Sequence, residues 1–175
     1  QVRKERLRAM TDLLTELPNR EAWQERLSFE YNRWQRYSHP LTVGVLDIDL
    51  FKRINDSYGH KAGDRVLQLV AREFRERLRT TDFVARFGGE EFVVLFPETE
   101  PADASVVVDK LREHVRKLPF HFRGEPVSVT FSAGLAGFIA GDTEESVFDR
   151  ADRALYQAKD AGRDQVMIGD STAGQ

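Results

Sequence analysis

Two stretches of this 175-residue chain set carboxylates where an apolar strand should end, a placement that folding alone does not ask for. In the first, Arg86-Phe87-Gly88-Gly89-Glu90-Glu91-Phe92, two glycines and two carboxylates sit at a turn between apolar runs. Glycine permits positive φ and lets a ligand approach the backbone closely, and a carboxylate beside it can bind a hard cation through oxygen. On spacing alone a solvated hairpin turn, the commoner use of Gly-Gly-Glu, stays open. In the second, the β-branched apolar run Leu41 to Asp49 closes abruptly on Asp47-Ile48-Asp49, which reads as a central strand with an acidic end.

The elements that must position these groups follow from periodicity. Val2 to Leu14 carries Leu7, Met10 and Leu14 at spacings of three and four, either the end of a coiled coil from upstream or an ordinary amphipathic lead-in. After Pro18-Asn19, the aromatics Trp23, Tyr31 and Trp34 and the intervening Leu27 mark a helix over Arg20 to Tyr37. Phe51 to His60 reads as short and turn-rich, followed by a helix from about Arg65 to Arg79. Phe83–Phe87 and Glu91–Phe96 form a hairpin around Gly88-Gly89; Pro101 to Lys117 is helical, Val127 to Phe138 a strand, Glu144 to Ala161 a helix closed by Gly162, and Gln165 to Ile168 a last strand. The order βααββαβαβ predicts an α/β fold, a sheet of about five strands with helices packed over it.

Composition narrows the classes. With 26 Lys and Arg against 29 Asp and Glu the net charge is −3, which argues against a generic phosphate-backbone binder and therefore against nucleic acid as partner. The hydrophobic share of 41% supports one globular unit, and zero cysteines exclude disulfides, thiolate catalysis and zinc-thiolate sites. No apolar run reaches the roughly 18 residues of a membrane span, so the segment is expected to be soluble, without membrane contact. Opening on Gln rather than Met, the chain is expected to be a piece of a longer protein. The expected division is a helix or linker from an upstream region at 1–14, a catalytic domain at 15–168 and a disordered tail at 169–175.

The hairpin stretch resembles the GGEEF variant of the GGDEF signature of diguanylate cyclases. The resemblance extends through Asp12-Leu13-Leu14-Thr15-Glu16-Leu17-Pro18-Asn19-Arg20 to the block from Asp47 to Asp64, with Phe51, Lys52, Ile54, Asn55, Asp56, Gly59, His60 and Gly63 in place, and to Ala151-Asp152-x-Ala154-Leu155-Tyr156-x-Ala158-Lys159-x-x-Gly162-Arg163. These blocks keep the family's order and spacing over nearly the whole chain. They imply a GGDEF domain similar to the palm of nucleotidyl cyclases and polymerases. The implied reaction condenses two GTP molecules into cyclic di-GMP with loss of two pyrophosphates.

Carried over position by position, the resemblance makes Asp47 and Glu90, with the Ile48 carbonyl, the ligands of magnesium, manganese being the alternative. Such an ion takes one or two carboxylates plus phosphate oxygens. Glu91 has a supporting catalytic role. Asn55 and Asp64 would read the guanine edge, although without the resemblance they are a turn residue and a helix cap. Lys52, Lys159 and Arg163 would meet the triphosphate, with Lys52 also serving catalysis. The backbone of Leu50, Phe51 and Lys52, and the Gly88-Gly89 turn, would lie against the nucleotide. His60 falls in a Gly-His pair and is read as structural. Arg79-Thr80-Thr81-Asp82, with five residues between Asp82 and Gly88, resembles the family's R-x-x-D inhibitory site for cyclic di-GMP, with Lys110 or Arg112 as its second basic contribution.

One GTP half-site per domain implies a homodimer for catalysis, governed by an upstream sensory domain, and a cytoplasmic location even if the parent protein is membrane-anchored. Three rival readings follow: a non-catalytic cyclic di-GMP receptor, a cyclase using ATP or a mixture, and a structural dimerisation module. The last leaves the acidic strand end and the glycine turn unexplained.

Overall fold

Asn19 starts the first long helix by accepting the Ala22 amide on its Oδ1 at 3.0 Å, and the chain then buries Trp23 and Leu27 along one face. The computed structural model describes residues 2–171, without the side chains of Leu7 and Arg8; the expected Leu7 contact and the tail at 172–175 lie outside the described residues. In chain order the elements are α1 (Val2–Ala9), α2 (Arg20–Tyr37), β1 (Leu41–Ile48), α3 (Phe51–Tyr58), α4 (His60–Arg77), β2 (Phe83–Gly88), β3 (Glu91–Pro97), α5 (Pro101–Arg116), β4 (Phe120–Phe122), β5 (Glu125–Val127), β6 (Phe131–Gly137), α6 (Glu144–Asp160) and β7 (Val166–Ile168).

Five strands form one mixed sheet in the order β2-β3-β1-β6-β7, antiparallel except where β7 runs parallel to β6. Every residue of β1 is buried, because helices cover both faces, and this is why its sequence is a continuous apolar run. Leu46, Ile48, Phe92, Val94, Phe96, Phe131 and Leu135 meet Val66, Val70 and Phe74 of α4 and Val108 and Leu111 of α5 on one face. Val43, Val45, Val93 and Leu95 meet Trp23 and Leu27 of α2 and Val147, Ala151 and Leu155 of α6 on the other. The expected five-stranded α/β sheet with its antiparallel hairpin is what the structure shows. Among the described residues no helix is long and apolar enough to cross a membrane.

Three local readings are corrected. Phe51 to Tyr58 is helical rather than turn-rich: its Asn, Asp and Ser favour turns, but burial of Ile54 against the core decides the matter. Helix α4 begins at His60, five residues before Arg65, because Ala62 and Gly63 are buried within it. The strand expected over Val127 to Phe138 divides, its beginning pairing with Phe120–Phe122 as a separate small hairpin.

The ends of the domain are tied down. The turn after α1 closes through a Thr11–Pro18 bridge and a bond from the Asn19 amide to the Met10 carbonyl at 3.0 Å, so the expected division at residue 14 runs through that turn. Gly169 and Asp170, expected at the head of the tail, are both held. The Gly169 amide donates to the Leu135 carbonyl at 2.7 Å, and the Arg150 guanidinium to the Asp170 carbonyl at 2.6 Å.

Candidate functional site

The sheet register brings the two acidic stretches together. Asp47 of β1 stands opposite Glu91 of β3, and the Ile48 amide donates to the Glu90 carbonyl at 3.2 Å, fixing the hairpin turn against the end of the central strand. Lys159, near the end of α6, donates to Asp47 Oδ2 at 2.6 Å. Burial pushes the Asp47 carboxyl above its ordinary range; Lys159 opposes the shift, and Glu90 and Asp49 add to it. The effect is larger at Glu91, where burial, helped by Asp152, Asp47 and Glu90 and opposed by Lys159, raises the pKa to about 7.

This surplus of carboxylate over ammonium is the donor chemistry a hard divalent ion satisfies. Among the described residues no three His, Cys, Asp or Glu side chains converge to hold an ion alone. Asp47 and Glu90 offer the hard oxygen donors that a divalent cation could take beside ligands from phosphate and water.

Glu91 has a measurable consequence for stability. Between pH 4.5 and 7 the folded chain holds a proton that the unfolded chain has released, so stability falls as pH rises through that window and levels off above it. Glu91→Gln is expected to stabilise the metal-free domain by on the order of 2 kcal/mol at high pH. The gain should be several times smaller at pH 5 than at pH 8; thermal unfolding of both proteins at these two pH values in EDTA checks this.

The segment after β1 is shaped for an anionic ligand. Leu50 is left-handed (φ 55°, ψ 34°), a conformation sparsely populated outside glycine, and it caps α3 without a side-chain bond. As the first residues of α3, Phe51 and Lys52 carry amides that have no acceptor within the helix. One turn on, the Asn55 side chain lies over Gly63, where an added Cβ would come within 1.9 Å of Asn55 Oδ1. That oxygen is buried and without a partner, an unmet acceptor beside the exposed Asp64. Lys52 and Arg163 are both exposed.

Gly88 and Gly89 have open space where a Cβ would stand, and Gly89 has φ +49°. Arg86 grips this turn, donating from Nε and Nη2 to the Gly89 carbonyl at 3.0 and 2.8 Å and from Nη1 to Asp12 at 3.2 Å. Asp12 in turn accepts from the Thr15 amide and hydroxyl. Arg86 thus fastens the Gly88-Gly89 turn to the chain's lead-in. Sequence reasoning quoted Arg86, Asp12 and Thr15 inside motifs without seeing that they meet.

The R-x-x-D pair is formed away from this cleft. Arg79 donates Nη2 to Asp82 Oδ1 at 2.9 Å and Nε to Asp82 Oδ2 at 3.1 Å, and Nη2 also reaches Thr99. Arg79 shares a cavity of about 300 Å³ with Arg26 and Arg33 of α2, which sequence reasoning did not connect with it. Arg112 does not join them: its guanidinium pairs with Asp109, Glu113 and Asp164. Lys110 and Arg112 flank the buried Leu111 on opposite sides of α5, and Lys110 is exposed.

Fold and site together define the class. The sequence matches the family described as Diguanylate cyclase, GGDEF domain, over residues 9–165, and the chain belongs to that family. It is 53% identical over 164 residues to the diguanylate cyclase DgcP of Pseudomonas aeruginosa, covering 94% of this chain and 24% of that protein. It is 41% identical over 163 residues to the response regulator PleD of Caulobacter vibrioides, covering 91% and 36%. The chain thus spans about a quarter to a third of the length of these relatives. The crystal structure of the coiled coil and GGDEF domain of DgcB from Caulobacter crescentus, in complex with c-di-GMP, superposes with a TM-score of 0.92 at 32% identity, covering 96% of this chain and 90% of that one.

Proposed function

We propose that this domain is a diguanylate cyclase, condensing two GTP into cyclic di-GMP and two pyrophosphates. What supports the reading is a convergence along one stretch of chain: the acidic end of β1 is bonded to the Glu90 turn and leads within three residues into the first turn of α3, one turn ahead of the unpartnered Asn55 oxygen. A bound magnesium would supply Lewis acidity to the phosphate oxygens and to the attacking hydroxyl. Asp47, Glu90 and the Ile48 carbonyl would hold it.

Asn55 and Asp64 accept from the N–H groups of guanine, a donor set that adenine lacks. The amides of Phe51 and Lys52, the Lys52 and Lys159 ammonium groups and Arg163 neutralise the triphosphate, and Leu50 and the Gly88-Gly89 turn admit it close to the backbone. The 3′-oxygen of one nucleotide forms a bond to the α-phosphorus of the other, the α–β bridging bond breaks to release pyrophosphate, and Glu91 is positioned to hold the released proton. A two-fold homodimer brings the two half-sites face to face. Arg79 and Asp82, with Lys110 from α5, form a site for the product; Arg112 is committed elsewhere. An upstream sensory domain would set the dimer geometry, and a GTP substrate would suit a cytoplasmic location.

The test supplies GTP or ATP with magnesium, or with manganese, at several protein concentrations and resolves the product by chromatography. Cyclic di-GMP from GTP alone, its rate rising faster than linearly with protein, is expected. Binding of cyclic di-GMP without turnover, lost in Arg79→Ala, would make the domain a receptor instead.

A further inference from the structure

The turn that delivers Arg163 is held in a conformation the chain would not choose. Gly162, Arg163 and Asp164 follow one another with φ of +120°, +63° and +48°, and two of the three carry side chains. Non-glycine residues visit this region singly and at a cost, and consecutive ones persist only when surrounding bonds over-determine them.

Those bonds come from three directions. The end of α6 closes on itself, with the Arg163 amide donating to the Ala158 carbonyl at 3.0 Å. From the sheet, Asp49 Oδ2 and Ser132 Oγ both accept the Asp164 amide, at 3.0 and 3.1 Å. Asp49 is itself buried and fixed by the Thr130 and Ser132 hydroxyls at 2.7 and 2.6 Å. From α5, Arg112 Nη1 donates to Asp164 Oδ1 at 2.8 Å, and the Arg112 side chain is only 13% exposed, oriented by Asp109 and Glu113. Arg163 remains exposed, its guanidinium outside this lock.

Asp49 stands one residue before the left-handed Leu50 and two after Asp47. One carboxylate therefore joins the metal-binding strand end, the phosphate-facing amides and the Arg163 turn. We propose that Arg112, acting through Asp164, is a positioning residue that fixes Arg163 for the triphosphate. The proposal rests on the cyclase reading of the same site. It gives Arg112 a role in substrate geometry in place of product binding.

The experiment measures equilibrium binding of two probes in magnesium, a non-hydrolysable GTP analogue and GMP, to the parent domain, Arg112→Met, Arg163→Ala and the double variant. Arg112→Met is expected to weaken the triphosphate analogue about tenfold. GMP, which lacks the outer phosphates, should bind unchanged, and the tenfold penalty should disappear when Arg163 is already Ala. Equal weakening of both probes, a penalty that persists without Arg163, or no change would overturn the role. If Arg112→Met does not fold, Asp164→Asn replaces it in the same comparison, keeping the backbone amide bond while removing the ion pair. A parent domain that binds neither probe would overturn the cyclase reading and the positioning role with it; a parent that binds both isolates the result to Arg112.

Discussion

Glu90→Gln is expected to lower cyclic di-GMP formation about a thousandfold while leaving the fold intact. The Glu90 backbone is fixed independently of its side chain, because its carbonyl accepts the Ile48 amide at 3.2 Å and the preceding Gly89 carbonyl is gripped by Arg86. The isosteric amide therefore sits where the carboxylate sat. What it loses is the anionic oxygen that, in the proposed site, would hold the metal together with Asp47. Metal-ion stabilisation of developing charge is worth several kcal/mol, and about 4 kcal/mol corresponds to three decades in rate. The sign of the stability change separates this from damage. Glu90 raises the proton affinity of both Asp47 and Glu91, so removing its charge relieves repulsion, and the metal-free variant should melt no lower than the parent. Product formation by chromatography, beside a thermal melt in EDTA, reads both quantities. A loss under tenfold, with normal folding, would remove Glu90 from the metal site.

Each part of this site was legible in the sequence to the extent that its signal was local. A strand buried on both faces shows as an unbroken apolar run, so β1 and its acidic end were readable, and a Gly-Gly pair between such runs marks a hairpin whatever lies around it. Helix α3 was not readable, because its polar residues describe a turn until Ile54 finds the core. The strand after α5 failed for a related reason: strands of three residues are too short to show a period. The partnerships were the least legible. Lys159 meets Asp47 across 112 residues, Arg86 meets Asp12 across 74 and Arg112 meets Asp164 across 52, and no spacing rule spans such distances. Family resemblance placed Lys159 and Asp47 in one site, but it left Lys110 and Arg112 as equal candidates for the product site, and the fold turned the Arg112 guanidinium toward Asp164.

Gly134→Ala is expected to cost more than about 3 kcal/mol of stability, while Gly88→Ala costs little. Gly134 lies in β6 beside Val45 of the central strand, where α6 crosses the sheet at closest approach. A methyl group there would stand 2.1 Å from the Ala151 carbonyl oxygen, 2.2 Å from the Leu155 nitrogen and 2.8 Å from the Ala154 carbonyl carbon, all of them backbone atoms. No rotamer change relieves such a clash, so the helix must lift as a body, opening the layer where Ala151 and Leu155 pack on Val43 and Val45. The displacement carries function with it, because α6 supplies Lys159 to Asp47 and leads into the Arg163 turn. The variant should thus lose nucleotide affinity even at temperatures where it stays folded. At Gly88 nothing lies within 4 Å of an added Cβ, so its substitution should leave the denaturation midpoint in place and act only through the ligand. Urea unfolding of both variants decides the matter: a Gly134→Ala unfolding free energy within about 1 kcal/mol of the parent would mean that α6 rides on the sheet loosely, and rigid delivery of Lys159 and Arg163 could then no longer be credited to that contact.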